Sequence, residues 1–147
     1  MKSFLLKNNK PTILWSMLED NCFYEGKLPK GNYSLAICSG IYTVLDVDCK
    51  NGGRGYDFIP VNIKKELDKS FFYDTKSGGR HYWILYTGNK ILLNKSTKYF
   101  LDLRVGTRGS NNGGYIRYNG LKDIRQCVHL IKPSSKMLNK WLEGLFS

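Results

Sequence analysis

The chain has 147 residues, 41% hydrophobic and 14% aromatic, which is enough for one well-buried core and short for two, so a single domain over residues 1–147 is expected. No apolar run is long enough to span a bilayer, and the N-terminal MKSFLLKNNKP holds only a three-residue apolar block, too short for a secretory signal; a soluble, cytoplasmic protein with no membrane partner is expected. The formal charge of +11, from 23 Lys and Arg against 12 Asp and Glu, favours a polyanionic partner, nucleic acid ahead of a membrane surface.

In chain order, Pro11 to Glu19 carries Pro at a plausible first helical turn and apolar Ile13, Leu14, Met17 and Leu18 at helical spacing, which predicts an amphipathic helix. Tyr33 to Val47 is rich in β-branched and aromatic residues and broken at Ser39-Gly40, the pattern of a hairpin or strand pair. Lys50 to Gly55 is a glycine-rich turn, and Val61 to Lys69 a short helix. Strands are predicted over Ser70 to Asp74, His81 to Tyr86, Tyr99 to Arg104 and Gly114 to Tyr118, the last two separated by the glycine- and asparagine-rich loop Gly106 to Gly113. From Ser134 to Phe146, capping serines precede Met137, Leu138, Trp141, Leu142 and Leu145 at helical spacing, a helix docking on the core. Strands interleaved with a few helices predict a mixed α+β fold.

Cys22, Cys38, Cys49 and Cys127 form no C-x-x-C pair, and neither His81 nor His129 stands at zinc-finger spacing from them, so free thiols packed as small hydrophobes are expected. The basic residues recur in several segments, Lys50 and Arg54, Lys64 and Lys65, Arg104 and Arg108, Arg117 and Lys122, which suits a folded basic face rather than a charged tail.

Two of the few acids, Asp46 and Asp48, end the apolar strand Ile41-Tyr42-Thr43-Val44-Leu45. Strand residues two apart share a face, so both carboxylates converge while Leu45 and Val47 face the core on the other side. Adjacent carboxylates repel unless a cation lies between them, and oxygen ligands of this kind suit Mg2+ or Mn2+. Asp102 lies in a second apolar strand, Tyr99-Phe100-Leu101-Asp102-Leu103; if the two strands are neighbours, three acids surround one metal-binding point. Between them, Ser77-Gly78-Gly79-Arg80-His81 is a small-residue turn whose amides, with Arg80 and His81, can cradle a phosphate.

Taken together, LDVDCKNGGRG, SGGRHYW and FLDLRVG followed by GGYIRY resemble, in order and spacing, the three motifs of the archaeo-eukaryotic primase superfamily, in its bifunctional primase-polymerase branch, over about Pro11 to Tyr118. The resemblance implies that Asp46 and Asp48 are first-motif metal ligands, that Ser77 and His81 contact the nucleoside triphosphate, and that Asp102 completes the metal site. Arg80 and Arg104 are implied as further phosphate contacts. It also implies a small α/β module paired with an RRM-like sheet around a catalytic cleft, and template-directed synthesis of primers or their extension on single-stranded DNA, with a separate helicase as a further candidate partner. The proline-containing segment that often follows the third motif is replaced by Tyr115-Ile116-Arg117-Tyr118-Asn119, and no helicase or helical C-terminal region follows; the short length suits a stand-alone viral or plasmid-type enzyme, in the host cytoplasm if viral.

Two other readings stay open. Asp48-Cys49-Lys50 fits the acid-x-Lys pattern of a metal-dependent nuclease, which needs an upstream acid from Glu19, Asp20 or Glu25. A non-catalytic single-strand-binding module would stack bases on Tyr82, Tyr86, Tyr115 or Tyr118, unless these pack in the core.

Overall fold

The computed structural model describes residues 1–19, 22–105, 113–118 and 124–147. Among the described residues, two α-helices and ten strands give a mixed α+β architecture with two sheets. The smaller sheet has the order β2-β1-β3-β9, from β1 (Ser3–Lys7), β2 (Lys10–Pro11), β3 (Tyr33–Cys38) and β9 (Tyr115–Tyr118), all antiparallel. In the larger sheet β4 (Thr43–Val47) is central, flanked by β6 (Arg80–Leu85) and β8 (Leu101–Arg104), with β7 (Lys95–Ser96) beyond β8. The second edge of β6 takes β5 (Phe72–Asp74) antiparallel near its start and β10 (Lys132–Pro133) parallel near its end.

Strand alternation sorts the larger sheet into two faces. Leu45 and Val47 of β4, Tyr82 and Ile84 of β6, and Leu101 and Leu103 of β8 are buried together with Ile63 and Leu67 of α1 (Val61–Leu67) and Leu138, Leu142 and Phe146 of α2 (Lys136–Phe146). Helix α2 forms because this i, i+4, i+8 stripe has a sheet to cover and because the Ser135 hydroxyl accepts the Leu138 N–H at its first turn, 3.2 Å. Burying each such side chain stabilises the fold by about 1.5–3 kcal/mol. On the other face Val44 and Trp83 pack against Ile37 of β3 and Ile116 and Tyr118 of β9, so the smaller sheet covers this side. Phe4, Leu6, Ala36 and Cys38 line the smaller sheet's outer face, where Trp15, Leu18 and Tyr115 pack on them.

Two sequence expectations change. The helix expected over Pro11 to Glu19 is a single 3-10 turn, Trp15–Met17, because only Trp15 and Leu18 find a surface to pack on while Leu14 and Met17 stay 70% and 76% exposed. Tyr33 to Val47 does form two strands, but they do not pair as a hairpin: the turn after Cys38, with Gly40 at φ 59°, carries the chain from one sheet to the other. The cysteines are free thiols, Cys38 and Cys127 buried, Cys22 and Cys49 half-buried. The glycine- and asparagine-rich loop from Gly106 onward lies, through residue 112, outside the described residues, as do Asp20, Arg108, Asn119 and Lys122.

Candidate active site

A strand buried on both faces is expected to be apolar throughout; β4 is so apart from Thr43 at its start, and Asp46 is its one charged residue. The registers explain how that carboxylate is accommodated. Asp46 stands opposite His81 of β6 on one side and opposite Asp102 of β8 on the other, His81 stands opposite Tyr73 of β5, and Asp102 opposite Ser96 of β7. Directly opposed residues point to the same face, so Tyr73, His81, Asp46, Asp102 and Ser96 form one polar row across five strands. It lies on the face that carries Val44 and Trp83, towards the smaller sheet, and the Tyr73 ring meets that sheet edge-on at Tyr118, centroids 5.1 Å apart.

The row is joined by specific contacts. His81 Nε2 is 3.2 Å from Asp46 Oδ1, and His81 Nδ1 is 2.8 Å from the Tyr73 hydroxyl. Arg104, two residues beyond Asp102 and therefore on the same face, brings a guanidinium nitrogen to 3.6 Å from Asp102 Oδ2. His81 is buried, whereas the side chains of Asp46 and Asp102 keep 31% and 25% of their exposure, so the carboxylates remain reachable from solvent. Burial pushes the Asp102 carboxyl above the usual carboxylate range; the charges of Asp46 and Asp48 push the same way, against a hydrogen bond from Ser96 and the nearby Arg104 charge.

Asp48 lies one residue past the end of β4. Its N–H donates to the Phe100 carbonyl at 2.9 Å, extending the β4–β8 ladder, and its Oδ1 accepts the Lys50 N–H at 2.7 Å, closing the turn that follows. Glycines let neighbouring chain close over this strand end. A Cβ on Gly55 would come within 2.8 Å of Val47 Cγ1, and one on Gly79 within 2.2 Å of the Val47 carbonyl oxygen. The turn Thr75–Gly79 therefore rests against the end of β4, with Ser77 exposed at its tip and its hydroxyl 3.4 Å from that of Thr75.

Of the residues singled out from sequence, Asp46, Asp102, His81 and Arg104 come together, with Asp48 and the Ser77 turn at the same strand end. Arg80 does not join them. It stands opposite Val47, on the helix-covered face, where Nε donates to Asp74 at 2.7 Å, another guanidinium nitrogen reaches Asp68 at 3.3 Å, and its Cζ lies 3.9 Å from the Phe72 ring centroid. Tyr73 and Ser96 escaped the sequence reading; period-two alternation hints at Tyr73, since it shares a face with neither Phe72 nor Asp74, and the turn before His81 makes the two strands neighbours, but the exact register that sets Tyr73 opposite His81 is not in the pattern. A groove of about 540 Å³ beside α2, lined by Lys90, Lys136, Lys140 and Glu143 among others, contains none of the row's residues.

The expected Mg2+ or Mn2+ can be tested against these donors. Among the described residues no three of His, Cys, Asp and Glu are placed to enclose a metal by themselves. Two in-register carboxylates nonetheless suit Mg2+, which is commonly held by one or two carboxylates and completes its shell with water and substrate phosphates.

Several residues on which the alternative readings draw are engaged elsewhere. Tyr82 and Tyr118 are buried, Tyr115 packs on Phe4 and Trp15, and the Tyr86 hydroxyl donates to Glu143 at 2.6 Å, so none is a free stacking platform. Glu25, a candidate upstream acid for a nuclease, pairs with Arg125 at 3.0 Å. Among the described residues no helix is long and apolar enough to cross a membrane. No protein-family model matches the chain, and no curated protein matches it in sequence.

Proposed function

We propose that the chain is a nucleotidyl-transfer domain of the primase-polymerase type, acting on nucleoside triphosphates over a single-stranded DNA template and primer. The observation that carries this reading is the in-register pair Asp46 and Asp102 on adjacent strands, with His81 and Arg104 beside them, on the sheet face turned towards the second sheet. The ordered motif triple and the charge of +11 support it further.

In this reading Asp46 and Asp102, assisted by Asp48, hold Mg2+ or Mn2+, which when bound would activate a primer 3′-hydroxyl and neutralise the leaving pyrophosphate. Arg104 and His81 offer cationic and N–H donors to phosphate oxygens on the same face, and the Thr75–Gly79 turn offers backbone amides and the Ser77 hydroxyl at the strand end. Arg80 has no part in phosphate binding; its charge is taken up by Asp68 and Asp74. The two sheets, with the row on the face between them, are read as the module and RRM-like sheet of the primase-polymerase fold.

The test is extension of a labelled primer on a single-stranded template with Mg2+ or Mn2+ and each nucleotide set, beside a lane without primer. Metal-dependent products support the reading, and products in the primer-free lane add primer initiation. No products, with tight single-strand binding intact, would favour a non-catalytic binding module.

A further inference from the structure

His81 is the one ring in the row with two hydrogen-bonding atoms, and both are engaged. A neutral imidazole carries a single N–H, so its two neighbours must differ in what they offer. A carboxylate oxygen accepts, so the nitrogen facing Asp46 Oδ1 at 3.2 Å, Nε2, carries the proton. Nδ1 is then an acceptor, and the group 2.8 Å away, the Tyr73 hydroxyl, can donate to it. Burial pushes the Tyr73 phenol well above its usual range, so it keeps its proton to donate at any working pH. The Tyr73 ring is itself held, edge-on against His81 at 5.0 Å and against Tyr118 of the smaller sheet at 5.1 Å.

We propose that Tyr73 is a positioning residue for His81: its hydroxyl fixes the neutral imidazole with the proton on Nε2, so that this one N–H is held by Asp46 in the free protein and is the donor available to a phosphate oxygen of a nucleoside triphosphate bound beside it. Because Tyr73 also packs on Tyr118, the orientation of the imidazole depends on the seating of one sheet on the other. The role in triphosphate binding rests on the nucleotidyl-transfer reading; the tautomer does not.

The experiment is nitrogen NMR of imidazole-labelled protein at a pH where His81 is neutral, with His129 assigned through His129→Gln, comparing wild type and Tyr73→Phe, which keeps the ring packing. Wild type should show protonated Nε2 and a hydrogen-bonded, unprotonated Nδ1, and Tyr73→Phe should move Nδ1 to the position of an unbonded imine nitrogen. In primer extension the same variant should raise the nucleotide KM roughly five- to tenfold, the loss of one hydrogen bond, with kcat changed less. A proton on Nδ1 in wild type, or an Nδ1 signal unmoved in Tyr73→Phe, would overturn the proposal. If wild type makes no product at all, the nucleotidyl-transfer reading fails while the NMR comparison still decides the role of Tyr73.

Discussion

Asp46 and Asp102 stand directly opposite each other on adjacent antiparallel strands, and their shared face also holds His81 on the far side of Asp46 and Arg104 beside Asp102. Asp48, by contrast, spends one carboxylate oxygen on the Lys50 N–H. The three acids therefore should not contribute equally to metal binding. Asp46→Asn and Asp102→Asn are expected to weaken Mn2+ binding in the presence of a nucleoside triphosphate by about a hundredfold or more, and Asp48→Asn, which keeps the turn's acceptor, by about tenfold or less. Titration of Mn2+ by electron paramagnetic resonance measures the order; Asp48→Asn as the most damaging change would reverse the assignment.

The raised Asp102 carboxyl has a consequence for stability. Its folded-state value lies above the unfolded one, so the folded protein holds that proton more tightly; the resulting stabilisation is full below the unfolded value and is lost as pH rises through the folded value. At neutral pH the ionised carboxylate is thus a burden on the metal-free fold. Asp102→Asn should raise the Tm at pH 7 without metal, and the gain should shrink towards pH ~4. A lower Tm at pH 7 would show that the Ser96 and Arg104 contacts outweigh burial and the neighbouring charges.

Arg80 and Arg104 should part company. Arg80→Ala removes charged hydrogen bonds and the stacking on Phe72 and should cost about 1–3 kcal/mol of stability, leaving the nucleotide KM unchanged. Arg104→Ala should raise that KM with little change in Tm. Denaturant unfolding and steady-state kinetics on both variants separate the roles, and a KM effect from Arg80→Ala would return it to the site.

How the fold closes on the acids can be probed with two glycines. A Cβ at Gly79 would lie 2.2 Å from the Val47 carbonyl oxygen, so Gly79→Ala should destabilise by about 1–3 kcal/mol and disturb the strand end that carries Asp46 and Asp48. A Cβ at Gly144, within α2, meets nothing within 4 Å, and Gly144→Ala should stabilise by about 0.5–1 kcal/mol. Urea unfolding of the pair gives opposite signs if the strand end is as tightly covered as described.

Much of this arrangement is legible in local pattern. The Ser135 cap and apolar stripe announce α2, and Asp46 stands out because an acid interrupts an apolar strand. Arg80 could have been set apart as well, since adjacent strand residues face opposite ways and Arg80 cannot share a face with His81. What local pattern does not carry is register between strands distant in sequence, which alone brings Asp46 to His81 and to Asp102; Tyr73 and His81, and Ser96 and Asp102, meet across short local connections whose exact register the residue pattern leaves open. Nor does it tell a hairpin turn from the turn between β3 and β4 that changes sheets, because both need the same break at Ser39-Gly40. The segment after Pro11 has helical spacing but too little surface to cover, so burial, not periodicity, decides its structure.

The proposed function makes nucleotide incorporation depend on metal held by Asp46. Its most direct test is incorporation of labelled nucleotide onto a primed single strand by wild type and Asp46→Asn, with Mn2+ present and DNA binding measured on the same preparations. Wild type should incorporate nucleotide, and Asp46→Asn should do so about a hundredfold or more slowly, with DNA binding little changed. Equal incorporation by the two proteins, or none by wild type that binds the strand tightly, would contradict it.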